Sequence, residues 1–414
     1  MNRKVEVVEI GSSHDIIINS SSTAMSNPTN TSAATKSENA RERIHPEERS
    51  KAKVAVIMFA LALAVFLAAL DVTIITTALE TIAEDFSSSA GFTWIGAAYL
   101  LAAAASTSLW GKISDIFGRK PILLLANFVF FAGSLIAGLS INIGMLIAAR
   151  VIQGIGGGGL LILPNIIIGD LFSPRSRGAY YGIIGATWAM ASSLGPVIGG
   201  VFASKVTWRW CFYINLPVDG LAFFIILFFL DLITPKTPLF EGLVAVDWLG
   251  AFFIIAGTLL FLFGLDLGGT SFPWNSATII CLLVFGVVAA LLSIPVEAKI
   301  AKYPIMPSRI FKNRSNLASL GVDFFHAFTY ISGAYYLPLY FQAVLGNTAL
   351  LSGVHTLPSS IAIGISSTLT GIYIRKTGQY LPPIFFGMFP YFAFHPIITS
   401  PPWVQLTSLL QGSL

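Results

Sequence analysis

From Val54 onward the chain alternates long apolar runs with short polar links. A membrane-crossing helix needs about 20 mainly apolar residues. Runs of that kind lie at 54–78, 94–110, 121–139, 143–168, 179–202, 211–231, 247–265, 277–296, 317–343 and 351–374. They are continuously apolar and do not alternate with period two, so they predict helices and not the strands of a membrane barrel. An eleventh run, 382–398, is interrupted by Pro382, Pro383, Pro390 and Pro396. Proline breaks most helical runs, so the pattern predicts 10 or 11 spans. Residues 1–53 are different: polar throughout, and rich in Ser, Thr and Asn from Asn19 to Ser37. Such a segment cannot bury enough apolar surface to fold alone and reads as a disordered tail. It has no apolar core of the kind a signal peptide carries.

Composition sharpens this picture. Hydrophobic residues make up 55% of the 414 residues and charged residues only 11%, and mean hydropathy is +0.77. An ordinary soluble domain carries about 25% charged residues, so a water-soluble enzyme is excluded in favour of an all-α polytopic membrane protein. The formal charge of +4 does not gather on one basic face, which argues against a nucleic-acid partner. The two cysteines, Cys211 and Cys281, lie in apolar runs and are expected to be buried thiols. The five histidines show no metal-ligand spacing, and no nucleophile or cofactor constellation is visible. No metal and no cofactor are expected.

Charge asymmetry orients the spans. The basic residues of the tail and of the links after the second, fourth, sixth, eighth and tenth runs fall on one side, while Lys205 and Arg209 fall on the other. The basic side of a membrane protein faces the cytoplasm, so the amino terminus is expected there. A short repeat crosses the chain as well. Gly111 to Pro121 and Gly371 to Pro382 each carry glycines seven apart, Gly111 with Gly118 and Gly371 with Gly378, just before a proline. A link after the second run that recurs after the tenth implies two six-helix halves with two helices inserted between them, a pattern found in transporters.

Several residues could carry chemistry. Asp71 lies about two thirds of the way along the first run, where insertion of an acid costs roughly 2.5–3.5 kcal/mol. One reading is a proton-coupling site in a polar cavity; the other is a carboxylate that caps or hydrogen-bonds at the outer interface. Arg150 lies in the fourth run and keeps its proton, so it must be paired or solvated. It can bias a nearby acid, or it can snorkel to the cytoplasmic face. Gly154 to Gly159 satisfies G-x-G-x-x-G, but no strand precedes it and Asp170 follows too early for a dinucleotide site. Close helix packing is the better reading. In the fifth run, Pro196 joins Gly195, Gly199 and Gly200, either as a hinge shaping a cavity or as a structural kink. Asp115 and Arg119 are four apart, beside Lys120, and can form a cytoplasmic latch or lie in a solvated loop. Asp219, and Asp323 with His326, are further ionisable groups at membrane depth and secondary cavity candidates, as is the polar Gln342.

Together these residues resemble the major facilitator superfamily, and within it the fourteen-span drug:proton antiporters of fungi. Leu70 to Ile74 with Ala78 and Leu79 resembles that family's first-helix signature. Gly111, Asp115, Gly118 and Arg119 match the link between helices 2 and 3. Arg150 with Gln153 and Gly154 resembles the fourth-helix motif, and Gly195, Pro196, Gly199 and Gly200 the fifth-helix antiporter motif. Trp208 to Pro217, and then Tyr336 to Gln342 with Ser352 and Gly353, are similar too. The resemblance covers about residues 54–380. It implies a fold of 6 + 2 + 6 membrane helices, with the last six incomplete, and alternating access in which inward protons exchange for outward substrate. Asp71 and Arg150 would couple protons. Gly111, Asp115, Gly118, Arg119 and Lys120 would gate the cytoplasmic side, and the Gly195–Gly200 segment would shape the substrate pathway.

The expected layout is therefore a cytoplasmic tail at 1–53, a six-helix bundle at 54–231 and a linker with two extra membrane helices at 232–296. An incomplete second bundle would follow at 297–414, aberrant from about 382. Asp219 stands where the family pattern has a small residue. Members of the family carry three or four more helices than are present, so the chain resembles one shortened at its carboxyl end. The expected function is proton-coupled export of small amphipathic molecules by a monomer in the lipid bilayer, most naturally that of the plasma membrane, with the vacuolar membrane as the other setting. Two other readings stand beside it: an uptake carrier of the same fold, and a truncated membrane protein that does not transport.

Overall fold

The computed structural model describes residues 50–87, 89–232, 237–300, 305 and 309–387. Ten long helices appear where the apolar runs predict them. They are α1 (Lys51–Ile74), α2 (Ser89–Phe117), α3 (Arg119–Gly138), α4 (Ile143–Leu171), α5 (Pro174–Lys205), α6 (Asn215–Phe229), α7 (Trp248–Leu267), α8 (Ala277–Pro295), α9 (Arg314–Ala343) and α10 (Ala349–Thr377). Among the described residues seven helices are long and apolar enough to cross a membrane: α1 with its last 3₁₀ turn, α3, α4, α5, α6 with the turn before it, α7 and α8. The one β feature among the described residues is an isolated bridge between Gly268 and Phe272. Of the eleventh run, residues 382–387 are helical and the rest lies outside the described residues.

Local chemistry sets the helix ends. Asn142 caps α4 by accepting from the Met145 amide at 2.8 Å, as N-cap side chains do for orphan amides. The predicted link at Gly111–Lys120 is mostly helix: α2 continues to Phe117 and α3 begins at Arg119. Only Gly118 breaks the run, with φ +96°, and Gly378 ends α10 with φ +73°. These are the second glycines of the two repeated segments. Both take a positive φ that favours glycine, but in different conformations: ψ is 151° at Gly118, which opens α3, and 2° at Gly378, which closes α10.

Glycines also bring the helices together. A Cβ on Gly133 of α3 would lie 2.7 Å from the Gln153 Cα on α4, and one on Gly156 would lie 2.7 Å from the Phe130 Cα on α3. The rising numbers on one helix meet falling numbers on the other, so α3 and α4 are antiparallel. A Cβ on Gly158 would lie 2.8 Å from both the Ala103 carbonyl oxygen and the Ser106 hydroxyl of α2. The glycine run of α4 is thus a close-packing surface toward both neighbours. On α5, Gly195 and Gly199 lie against Thr73, Ile74 and Thr77 of α1 and its 3₁₀ turn. The helix runs unbroken through Pro196. The opposite face of α5 meets α10, where a Cβ on Gly182 would lie 3.1 Å from the Ser367 carbonyl oxygen and one on Gly371 would lie 3.1 Å from the Ala179 Cα.

Helices α1 to α6 enclose the main apolar core, which includes Leu61, Leu67, Phe130, Leu160 and Leu163. The later helices are more open. On α8 only Ile279 and Gly286 are buried, because α8 packs chiefly on α7. Cys281 lies on the uncovered side of α8 and is exposed, contrary to the expectation of two buried thiols, while Cys211 is buried. An apolar run predicts a membrane helix but does not say which of its faces meets protein.

Candidate functional site: a buried ion pair among five helices

Asp71, in the last turn of α1, is 0% exposed, and Arg150, in the third turn of α4, is 1% exposed. The Arg150 Nη1 group is hydrogen-bonded to Asp71 Oδ2. The second carboxylate oxygen, Oδ1, accepts from Gln153 Nε2 at 2.6 Å and from Asn215 Nδ2 at 2.9 Å. Arg150 also donates from Nε to the Ile95 carbonyl at 3.0 Å and from Nη1 to Gln153 Oε1 at 2.7 Å. Gln153 Nε2 reaches the Ser134 hydroxyl at 2.8 Å. The guanidinium lies over the Tyr99 ring, 4.4 Å from its centroid. Side chains from α1, α2, α3, α4 and α6 therefore converge on one pair of opposite charges. Burying such a pair is tolerated when further hydrogen bonds satisfy the remaining donors and acceptors, as here.

This geometry closes two alternatives left open by the sequence. Asp71 does not cap a helix at an interface; it is the shared acceptor of a buried network. Arg150 does not snorkel to the side that carries the basic links. Since α4 is antiparallel to α3, its first turns lie at the end of the bundle away from Arg119. The spacing of Arg150 and Gln153, three apart on one helix, places both toward α1. Ser134, Asn215 and Tyr99 escaped sequence reasoning as members of the site. Their signal in the sequence is weak, since each is one of several polar or hydroxyl-bearing side chains in an apolar run, as Ser134 is beside Asn127.

The helix 2–3 corner forms a second cluster. Arg119 bonds Asp115 at 2.5 Å and Asp170, at the end of α4, at 2.9 Å. Its Nη1 also donates to Ser114 Oγ at 2.6 Å, and to the Gly111 carbonyl at 3.4 Å. The cluster therefore ties α2 and α3 to α4 within the first six helices. Asp170 joins it as a partner the sequence reading had not assigned. Lys120 is half-buried beside it.

Other candidates fall elsewhere. Gly195, Pro196, Gly199 and Gly200 lie on α5, with Gly195 and Gly199 against the turn that follows Asp71. Asp219 is 0% exposed on α6. Asp323 and His326 are exposed on α9, away from the buried pair. Gln342 lies on α9, with its side chain outside the described ones. At the end opposite the 111–120 corner, an open cleft of about 500 Å³ is lined by Thr81, Glu84, Asp85, Thr207, Trp208 and Arg209, among others. There Trp208 Nε1 donates to Asp85 at 3.0 Å, and the Arg209 guanidinium stacks over Trp208 at 4.3 Å. Among the described residues no group of three or more His, Cys, Asp or Glu could hold a metal ion.

The site is thus set in a helical membrane bundle, drawn together by glycines around an intramembrane ion pair. Residues 61–255 match the Major Facilitator Superfamily. Over those residues, a little under half of its length, the chain is similar to that superfamily. It is 62% identical over 335 residues to Efflux pump dotC of Dothistroma septosporum, a match covering 81% of this chain and 58% of that protein. It is 59% identical over 340 residues to MFS-type transporter ppz2 of Metarhizium majus, covering 82% and 59%. The chain thus spans less than two thirds of the length of the curated relatives it matches. Among solved structures, the proton:xylose symporter XylE shares the fold with a TM-score of 0.51 at 16% identity, covering 78% of this chain and 69% of that one. A peptide transporter, POT, does so with 0.51 at 15% identity, covering 78% and 69%.

Proposed function

We propose that the chain works as a proton-coupled exporter of small amphipathic molecules by alternating access. The observation that carries this reading is the fully buried Asp71–Arg150 pair, with Gln153 and Asn215 on the same carboxylate. Ionised Asp71 is the acceptor that ties α1 to α4 and α6. A proton arriving at Asp71 removes its charge and competes with Arg150, Gln153 and Asn215 for the two oxygens. The same event therefore changes both the charge of the site and the ties between three helices, which is what coupling a proton to a rearrangement requires. Similarity to proteins named efflux pumps supports the outward direction.

In this reading the amino terminus is cytoplasmic, and the Gly111, Asp115, Gly118, Arg119 and Lys120 corner gates that side. The Gly195–Gly200 face of α5 transmits movement from α1, and its contact with α10 joins the first bundle, 54–231, to the second, 297–414. The linker at 232–296 carries the two extra helices. The working unit is a monomer in the plasma membrane, with no nucleic acid among its partners and no catalytic activity.

The test uses the full chain in proteoliposomes with ethidium as the amphipathic probe. A pH gradient drives dye across vesicles holding the wild-type chain, and Asp71→Asn abolishes that movement while the protein still inserts. Equal movement by Asp71→Asn refutes the coupling role.

A further inference from the structure

Asp219 lies one helical turn beyond Asn215 on α6 and is completely buried, yet neither of its carboxyl oxygens has a hydrogen-bond partner among the described residues. The elements packed most closely on α6 are α1, α3 and the Trp210–Tyr213 turn. Their ionisable groups are Lys51, Lys53 and Asp71 on α1, Arg119 and Lys120 on the first turn of α3, and Cys211 and Tyr213. Lys53 is paired with Asp231 at 2.6 Å at the far end of α6. Arg119 is held by Asp115 and Asp170. The Tyr213 hydroxyl donates to the Gly138 carbonyl at 2.8 Å. From α4, Arg150 is committed to Asp71, Gln153 and the Ile95 carbonyl. Lys51 and Lys120 lie in the same first turns of α1 and α3 as Lys53 and Arg119, toward the far end of α6, and among the described residues no cation pairs with Asp219.

A bare carboxylate in that setting is a buried, uncompensated charge, which is costly. The neutral acid removes the charge and becomes a hydroxyl donor. An acceptor that needs such a donor stands one turn away. Asn215 Oδ1 is buried and has no partner, while the Nδ2 of the same amide donates to Asp71 at 2.9 Å. Residues four apart on a helix are surface neighbours. A protonated Asp219 therefore completes a line from its own hydroxyl to the Asn215 carbonyl, and from the Asn215 amide to Asp71. Loss of the proton removes the donor that holds the Asn215 amide and places a second negative charge near Asp71.

We propose that Asp219 is a second proton-carrying carboxyl of the transport cycle, linked to Asp71 through Asn215. The proposal rests on the proton-coupled reading above. The chemistry is acid–base only: in a state open to water the Asp219 O–H bond breaks as a water molecule takes the proton to become hydronium, and the bond re-forms when hydronium returns a proton to the carboxylate, leaving water.

Infrared spectroscopy of the full chain in lipid, joined to ethidium movement in the same proteoliposomes, tests it. The wild-type chain shows a protonated-carboxyl C=O stretching band that survives Asp71→Asn and loses a component in Asp219→Asn. Gradient-driven dye movement is lost in Asp219→Asn and returns in Asp219→Glu, with both variants eluting and melting as the wild type does. A band unaltered by Asp219→Asn overturns the proposal, and so does gradient-driven movement equal to wild type in that variant. If the wild-type chain itself moves no dye under any gradient, the exporter reading fails. The coupling role of Asp219 then falls with it.

Discussion

Asp71 and Arg150 meet at 0% and 1% exposure, whereas Arg119 shares its charge with Asp115 and Asp170, which are 52% and 50% exposed. Both clusters join helices through an arginine and carboxylates. In the first, each charge has one counter-charge, and the other contacts are buried dipoles and the face of the Tyr99 ring. In the second, one cation serves two acids that water reaches. Charges attract far more strongly where water is excluded, and their removal from water costs correspondingly more. The buried pair is therefore a site where each member is indispensable, and the open cluster one where the members substitute for each other. A protein that must respond to a single proton gains from the first arrangement, because one neutralised carboxylate upsets the whole network.

The largest expected effect breaks the buried pair. Asp71→Ala leaves the Arg150 guanidinium buried without its counter-charge and is expected to cost about 3–5 kcal/mol of stability. Thermal melting of the purified chain in detergent reads this. Replacing both residues, as Asp71→Leu with Arg150→Met, is expected to recover most of the loss, because no bare charge remains. A double variant as unstable as Asp71→Ala would show that packing, not charge, holds this junction.

A smaller effect comes from displacing the network without touching a charge. A methyl group on Gly133 would lie 2.7 Å from the Gln153 Cα. That is backbone, not the free end of a flexible side chain, so α3 and α4 must part. Gly133→Ala is expected to cost about 1–3 kcal/mol, in the range of overpacked interiors. It should also weaken gradient-driven dye movement, since Gln153 holds Asp71, Arg150 and Ser134 together. Smaller again is Asn215→Leu, which removes one donor from Asp71. Interhelical hydrogen bonds in membranes average about 0.6 kcal/mol and reach about 1.7 kcal/mol. A melting shift within that range is expected.

The two clusters were not equally legible from the sequence. Asp115 and Arg119 are four apart, so their pairing follows from helical spacing alone. Asp71 and Arg150 each stand out as ions in apolar runs, but they are 79 residues apart, and nothing in either run names the other as partner. Their meeting depends on how α1 and α4 turn toward each other, which the glycines of α4 and α5 decide. Asn215 and Ser134 carry no charge and sit in runs where isolated polar residues are common, so only the folded arrangement picks them out. The helices themselves were plain because the span-length apolar signal is strong. Which face of each helix is covered was not, as the exposed Cys281 shows.

The smallest expected effect lies in the open cluster and sharpens the contrast. Asp170→Asn removes one of the two acids bonded to Arg119, but Asp115 stays at 2.5 Å and Ser114 Oγ still accepts at 2.6 Å. Exposed ion pairs contribute about 0–1 kcal/mol, so the single substitution is expected to shift melting within that range. The shift should shrink as salt rises toward 1 M, where screening acts over about 3 Å. Asp115→Asn with Asp170→Asn is expected to cost more than the two single effects combined, since only then does Arg119, itself 19% exposed, lose every counter-charge. A salt-independent loss from Asp170→Asn alone, as large as that of Asp71→Ala, would overturn the contrast and make the corner a second buried junction. Additive single effects would instead deny that Asp115 and Asp170 substitute for each other.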